Sequence, residues 1–149
     1  MTIPLNLNRF IEAQENNFLK ALKETRSGQK LGHWMWYIFP QIAGLGKSET
    51  AARFAIKNLT EAKQFVDHPI LGVRLIEIAN GLLQVEGRST SEIFGHPDDL
   101  KLHSCMTLFS CVPEPDPVFE AILEKYFEGK KDLQTIWLLG SLSAGNVAA

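Results

Sequence analysis

Apolar residues recur at intervals of three and four along most of the chain, which is the spacing of one face of an α-helix. The first such stretch runs from Leu7 to Lys23, and Ser27 and Gly28 follow as its stop signal. Its apolar positions are Leu7, Phe10, Ile11, Phe18 and Leu22. The pattern therefore predicts a first helix over residues 7–23.

Capping residues divide the remainder of the chain into further helices. Ser48 is a suitable N-cap, Pro69 suits an early helical position, and Asp116 with Pro117 forms an N-cap and first residue. The helices predicted in this way cover residues 48–57, 60–66, 70–83, 97–109, 117–129 and 133–139. About seven helices with short connectors indicate an all-α fold, a single compact orthogonal bundle with little or no strand. The domain should span residues 7–140, and the small, polar segment 141–149 should be a flexible tail.

Residues 31–39 depart from this periodicity because they are apolar on every side and rich in aromatic rings. Such a run is compatible with a buried strand or with a buried irregular segment, and the period alone does not decide between them. Pro40 ends any regular element, and Gly44 and Gly46 then predict a flexible turn.

Composition narrows the class of protein. The 149 residues are 45% hydrophobic with a net charge of −2, so the chain has enough apolar surface for a core and lacks the basic run of a nucleic-acid binder. Its longest apolar runs are too short to span a bilayer, and Met1–Arg9 lacks a signal-peptide core. With only two cysteines, Cys105 and Cys111, a cytoplasmic protein without disulfides is expected.

The segment Lys30–Gln41 carries the densest chemistry in the chain. Aromatic faces bind flat or cationic groups, and His33 is the side chain best able to exchange a proton near neutral pH. The candidate ligand contacts here are Lys30, Trp34, Trp36, Tyr37 and Gln41. The alternative is that the rings only form core, with Trp34 or Trp36 buried and its indole N–H hydrogen-bonded.

The glycine turn that follows leads into a helix N-terminus, where free backbone N–H groups favour anions. Lys47, Ser48 and Arg53 are the candidate anion contacts, and Glu49 is a candidate acid or base. We expect this turn, His33 and either Lys30 or Gln41 to border one concave pocket. The turn matches no complete phosphate-binding fingerprint.

A second cluster, residues 94–105, contains Asp98, the other candidate acid or base, and two histidines. Its spacing includes no CxxC or HxxxH pair, so neither a metal nor another cofactor is predicted. Asp98 and Lys101 fit a solvated pair three residues apart on a helix.

Four specific motifs occur along the chain. They are Gly32-His33-Trp34-Met35-Trp36 with Phe39-Pro40-Gln41, Gly44-Leu45-Gly46 and Ser48, then His68-Pro69-x-Leu71-Gly72-x-Arg74-Leu75, Ile93-Phe94-Gly95-x-Pro97-Asp98-x-x-Lys101, and Met106-Thr107-Leu108-Phe109. Together they resemble the bacterial domain-of-unknown-function family numbered 1810. The resemblance extends from about Leu7 to Leu139 and implies a compact helical bundle whose function is not established. Members are sometimes labelled calpastatin, but calpastatin segments are disordered, whereas this chain has the apolar content of a full core.

The order Asp98-Asp99, Lys101, Met106, Tyr126-Phe127, Leu133, Ile136-Trp137-Leu138 is also similar to the C-terminal half of the NADAR family, and Ser48-Glu49 loosely resembles another of its motifs. These small helical proteins act on N-glycosidic bonds of ADP-ribose-type compounds, so the likeness implies a nucleotide-like ligand and a hydrolase. The residue types themselves make His33, Glu49 and Asp98 the candidate catalytic groups. A carboxylate with a raised pKa in an aromatic pocket would suit that chemistry. The departures are an additional connector at 113–117, Thr50 where a histidine is expected, and a different C-terminus. The competing hypothesis is a non-catalytic interaction module whose aromatic segment is structural core or a binding hot spot.

Overall fold

Regular structure in this protein is helical throughout the part that can be described. The computed structural model describes the backbone of residues 7–148 and the side chains of residues 7–140. Within that range there are ten helices and no strand, which confirms the all-α class, although the count exceeds the seven predicted. The helices are α1 (Asn8–Gln14), α2 (Phe18–Ser27), α3 (Met35–Ile38), α4 (Glu49–Arg53), α5 (Leu59–Asp67), α6 (Leu71–Leu83), α7 (Thr90–Phe94), α8 (Asp98–Ser110), α9 (Pro117–Phe127) and α10 (Leu133–Ala148).

The first predicted helix is in fact two, because the chain breaks between α1 and α2 at residues 15–17. Asn17 lies at this break, and its side-chain Nδ2 donates to the carbonyl of Ala13 at 3.0 Å. Asparagine side chains compete with the helical ladder in this way, so a period that continues across residues 15–17 conceals an interruption. The predicted stop signal is confirmed, since Gly28 closes α2 with φ 79°, but the helix continues to Ser27, beyond the limit predicted at Lys23.

Short helices account for the rest of the larger count. The aromatic segment is neither a strand nor wholly irregular but contains one helical turn, α3. Residues 90–94 form α7, which begins with a capping box between Ser89 and Glu92. At the end of the chain α10 continues to Ala148, beyond the end predicted at Leu139, and the flexible tail stays a prediction.

The core is organised around α8, which packs against α5, α7, α9 and α10. Its residues from Leu102 to Phe109 are buried on nearly all sides. A chain of aromatic rings crosses the molecule beside it: Phe10 meets Phe65 edge-on at 5.0 Å, and Phe65 meets Phe109 at 5.5 Å. These contacts join α1, α5 and α8 into one hydrophobic core.

The backbones of helices α5 and α6 meet at Gly72. A Cβ atom built on this glycine would lie only 1.8 Å from the carbonyl oxygen of Val66. Gly72 is fully enclosed, so the backbones of the two helices are in direct contact there. The junction depends on the absence of a side chain.

Two smaller expectations also concern the described helices. None of the helices within residues 7–148 has both the length and the apolar character needed to cross a membrane. Cys105 and Cys111 are free thiols, and burial raises the pKa of the Cys105 thiol well above its ordinary value. A buried thiol of this kind is unreactive.

Candidate functional site

A buried glutamate shapes the chain that leads into the aromatic segment. Glu24, near the end of α2, accepts hydrogen bonds through Oε1 from the backbone N–H groups of Leu31 and Gly32 and from the indole Nε1 of Trp34, at 2.7, 2.9 and 2.9 Å. Burial raises the pKa of Glu24, but the three N–H donors outweigh it, and the pKa lies below the ordinary value. The ionised carboxylate of Glu24 therefore holds the backbone of Leu31 and Gly32 and the side chain of Trp34 in place.

This fold of the chain places Lys30 against Asp98 at the start of α8. Lys30 Nζ is 2.9 Å from Asp98 Oδ2, and it also donates to the carbonyl oxygen of Gly32. Lys101 Nζ reaches the other carboxylate oxygen, Oδ1, at 3.0 Å. Lys30 is only 7% exposed, whereas Asp98 and Lys101 are each 19% exposed. We call these three residues the Lys–Asp–Lys cluster, and it has a net charge of +1.

Two indole rings lie over the ammonium groups of this cluster. Lys30 Nζ is 5.1 Å from the centre of the Trp34 ring, and Lys101 Nζ is 4.2 Å from that of Trp36. Both distances are within the range of cation–π attraction. Lys30 is thus surrounded by acceptors and a ring face, while the more exposed Lys101 is the member that an incoming anion can reach.

The charge state of Asp98 corrects one expectation from the sequence. Burial raises the pKa of this carboxyl, but the hydrogen bonds and charges of Lys30 and Lys101 have the larger combined effect, and the pKa lies below its usual value. Asp98 therefore does not have the raised pKa that would suit a general acid in glycosidic-bond cleavage. An ionised carboxylate can act as a base or stabilise positive charge, but it is a poor proton donor at neutral pH.

A cavity of about 190 Å³ lies next to the aromatic segment, between Trp36 and residues 41–55. The lining is made largely of small side chains and exposed backbone, with Trp36 and Phe54 as the large rings. Trp36 thus belongs both to the cavity and, through Lys101, to the cluster. The lining residues are Trp36, Gln41, Ile42, Ala43, Gly44, Gly46, Ala51, Ala52, Phe54 and Ala55.

The cavity lies within a loop whose two ends are hydrogen-bonded together. The backbone N–H of Ile56 donates to the carbonyl of Gln41, and that of Ala43 donates to the carbonyl of Ile56, both at 2.8 Å. Gly44, with φ 103°, turns the chain back, and a Cβ there would lie 3.1 Å from a methyl carbon of Leu138 on α10. We call residues 41–56 the closed loop; it carries α4 and nearly all of the cavity wall.

Comparison with known proteins gives a family for this arrangement. Residues 4–139 match the family described as "Protein of unknown function (DUF1810)". The chain belongs to this family. No protein of curated function matches it. It is also similar to a crystal structure of the conserved hypothetical protein Rv1873 from Mycobacterium tuberculosis, with 46% identity, 93% of this chain and 99% of that chain covered, and a TM-score of 0.90.

Membership of the DUF1810 family confirms the resemblance seen in the motifs, and the structure shows what several motif residues do. Gly32 provides an N–H to Glu24 and a carbonyl to Lys30, while Trp34 is buried with its indole N–H bonded to Glu24. The prediction that one of the two tryptophans is buried and hydrogen-bonded is confirmed for Trp34. Tyr37 is half-buried, packs 5.4 Å from the Phe54 ring, and has its pKa raised by burial.

Several predicted site residues are not brought into the cavity. His33 is exposed, because the two residues after it, Trp34 and Met35, take the core positions. Lys47 and Glu49 are exposed on the closed loop and do not line the cavity either. The expected pocket is therefore correct for Gln41 and the glycine turn and wrong for His33.

Ser48 and Arg53 have local structural contacts. The Ser48 hydroxyl caps α4 by accepting from the N–H of Ala51 at 3.0 Å, as its position predicted. The Arg53 guanidinium lies 5.3 Å from the centre of the neighbouring Phe54 ring. Neither side chain lines the cavity, so their ligand-binding roles stay predictions.

Glu24 and Lys101 are two functional side chains of this region that the sequence pattern does not predict as site residues. Glu24 lies three residues after the buried Ala21, which places a carboxylate on the apolar side of α2 just before a glycine, and this is a usable signal. Lys101 was interpreted as one half of a solvated pair with Asp98. It becomes part of a site only because Lys30, 68 positions before Asp98 in the sequence, binds the same carboxylate, and no local pattern reveals this.

A metal centre has no support among the described side chains, since no group of three or more His, Cys, Asp or Glu residues in 7–140 is placed to hold an ion. The candidate site therefore consists of the Lys–Asp–Lys cluster, Trp36 and the cavity of the closed loop.

The two lysines of the cluster should respond very differently to replacement by methionine. Lys30→Met removes a buried ammonium from Asp98 and from the Gly32 carbonyl, and should cost about 2–3 kcal/mol of unfolding free energy. Lys101→Met leaves Asp98 paired with Lys30 and should cost less than about 1 kcal/mol. Urea denaturation of both variants measures the difference. Equal costs would show that the cluster is not organised around Lys30.

Proposed function

We propose that this DUF1810 protein binds a small nucleotide-like ligand at the cavity of the closed loop and the adjoining Lys–Asp–Lys cluster. The observation that carries the proposal is the position of Trp36. Its side chain forms part of the cavity wall, and the centre of its ring lies 4.2 Å from Lys101 Nζ. A flat ring beside a partly exposed cation is suited to a ligand that combines a planar heterocycle with an anionic group.

The dimensions of the cavity limit which part of such a ligand is enclosed. A volume of about 190 Å³ is below the roughly 300–1,000 Å³ of pockets that bury a drug-sized molecule. One ring system would therefore be enclosed, with the phosphate-bearing remainder at the surface near Lys101. Small lining residues such as Ala51, Ala52 and Gly46 leave this space open.

The reaction we propose is hydrolysis of an N-glycosidic bond in an ADP-ribose-type compound, as the faint NADAR likeness implies. Water adds to the anomeric carbon, the carbon–nitrogen bond breaks, and the proton lost by water passes to the departing base. Asp98, held ionised by its two lysines, would stabilise the positively charged sugar or accept the proton of water. Asp98 does not line the cavity, but it is joined to the cavity wall through Lys101 and Trp36. Glu49 and His33 are exposed and have no such connection to the wall, so Asp98 is the candidate for a catalytic role.

A cavity-filling substitution tests the binding site. In a thermal-shift series with ADP-ribose, NAD and AMP, a ligand at 100 times its Kd should add about 2.7 kcal/mol of stability to the wild type. For a domain of this size that corresponds to a rise of about 5–11 °C in Tm. Ala52→Leu, which places a larger side chain on the cavity wall, should abolish this rise while the Tm without ligand stays nearly unchanged.

Thr50→Leu is the matched control, because Thr50 lies on the same helix, is exposed and does not line the cavity. It should keep the full ligand-induced rise, and Lys101→Met should lose it. Hydrolysis is tested by chromatography, which measures the free base released from the ligand. The wild type should release it, and Asp98→Asn should not. Absence of a shift with all three compounds would contradict the proposal.

A second candidate function, a protein-interaction module, is favoured by one observation on α10. Leu133, Ile136 and Trp137 are exposed, by 80%, 37% and 68%, and their spacing places them on one side of the helix. Exposed tryptophan is enriched at the centres of protein interfaces. A partner whose binding is lost in Trp137→Ala and kept in Leu19→Ala, another exposed apolar position, would support this function.

A further inference from the structure

Arg9 on α1 reaches the outer side of the closed loop. Its Nε donates to the carbonyl of Arg53 at 2.7 Å, and its Nη2 donates to the carbonyl of Ala55 at 2.8 Å. Both carbonyls lie where α4 ends, in backbone that has no helical donors of its own. Ala55 and its neighbour Phe54 line the cavity, whereas Arg9 does not.

The same guanidinium is held from the other side by a buried carboxylate. Glu61 on α5 is fully buried, and its Oε1 lies 3.2 Å from Arg9 Nη2 and accepts the N–H of Lys57 at 2.9 Å. The guanidinium also lies 4.4 Å from the centre of the Phe10 ring. Contacts with Phe10 on α1 and Glu61 on α5 therefore hold the Arg9 guanidinium in place, independently of its bonds to the loop.

The backbone between α4 and α5 is consequently held on both sides. Ile56 uses its N–H and its carbonyl to bond Gln41 and Ala43, across the base of the loop. Arg9 donates to the neighbouring carbonyls of Arg53 and Ala55, and Glu61 accepts from the backbone N–H of Lys57. A lysine in place of Arg9 keeps the charge opposite Glu61 but lacks the rigid fork of donors that spans several acceptors.

We infer that Arg9 is a positioning residue that fixes the wall of the cavity and thereby sets the affinity for the ligand without touching it. The inference rests on the proposed ligand site. A purely structural arginine would lower global stability and leave the cavity unchanged, so local protection of the loop and ligand affinity are the informative measurements.

The test is native-state hydrogen exchange on Arg9→Lys, combined with titration of ADP-ribose. The amides of Ala43, Ile56 and Lys57 should exchange at least tenfold faster than in the wild type, while amides of α8 and α9 keep their rates. The Kd for ADP-ribose should rise at least tenfold. Glu61→Gln, which keeps an acceptor for Arg9 and Lys57 without the charge, should show the same pattern to a smaller extent and serves if Arg9→Lys fails to fold.

Lys125→Met is the matched control, because Lys125 also donates to two backbone carbonyls, those of Leu83 and Val85, at the end of α6. It should change neither the exchange of the loop nor the affinity. Unchanged exchange at Ala43 and Ile56 in Arg9→Lys would overturn the inference, and so would faster exchange with unchanged affinity. If the wild type does not bind ADP-ribose, the proposed function fails, and the exchange rates still decide whether Arg9 fixes the wall.

Discussion

Replacing Gly72 with alanine should destabilise this protein by about 3 kcal/mol or more, at the upper end of what overpacking costs. The new Cβ would lie 1.8 Å from the carbonyl oxygen and 2.6 Å from the carbonyl carbon of Val66, and ordinary contact begins near 3.4 Å. Both atoms belong to backbone, so no side-chain rotation relieves the clash. Helices α5 and α6 would have to separate, and α6 also packs against α2 and α9.

The measurement is the free energy of unfolding in urea, with Gly140→Ala as the control. Gly140 is also helical, on α10, but a Cβ there meets nothing within 4 Å. This control should be neutral or more stable by up to about 1 kcal/mol, since alanine favours helix more than glycine. A Gly72→Ala variant as stable as Gly140→Ala would show that α5 and α6 do not touch at this point.

Glu24→Ala should have a comparably large effect, because one carboxylate oxygen serves three donors. Its removal leaves the buried indole N–H of Trp34 and the partly buried backbone N–H groups of Leu31 and Gly32 without this acceptor. Hydrogen bonds to a charged group contribute about 1.5–3 kcal/mol, and the three are not additive. We expect a loss of about 3–5 kcal/mol.

The contribution of Glu24 to the free energy of unfolding should fall as the pH is lowered. The pKa of Glu24 is lower in the folded protein than the ordinary glutamate value of about 4.3, so its charge stabilises the fold above that pH. The stabilisation is lost as the pH falls through the folded pKa. Glu24→Gln keeps an acceptor oxygen without the charge, so it should be less stable than the wild type at pH 7 and approach it below about pH 4. A difference that is constant from pH 7 to pH 3 would mean that folding does not lower the pKa of Glu24.

Local signals in the sequence were sufficient for much of the fold. The N-caps at Ser48 and Asp116 and the left-handed stop at Gly28 were each predicted from residues within one helical turn. The break at Asn17 was missed because the apolar period continues through it. Helix α4 ends before its predicted limit at Lys57 because residues 54–57 are drawn into contacts with residues 41–43 and Glu61, which are distant interactions.

The candidate site could be predicted only in part for the same reason. Gln41 and the glycine turn adjoin Trp36 along the chain, and all of them line the cavity. The approach of Lys30 to Asp98 rests on contacts that are distant in sequence, among them the bond from the Lys30 backbone N–H to the carbonyl of Ile93 at 2.7 Å, so composition and spacing do not reveal it. His33 was predicted as a site residue because of the chemistry of imidazole. Its exposed position follows from the neighbouring Trp34, whose large apolar side chain gains more free energy from burial than an imidazole would.

The hydrogen-bonded base of the closed loop has a consequence for how such proteins can diversify. Since the chain enters at Gln41 and leaves at Ile56 through the same pair of bonds, residues between them can lengthen, shorten or be exchanged without moving the helices on either side. If the loop binds the proposed ligand, relatives that bind other ligands should differ mainly between Ala43 and Ala55. The segment is also a natural unit to graft from one relative into another, with the recipient's bundle as an unchanged frame.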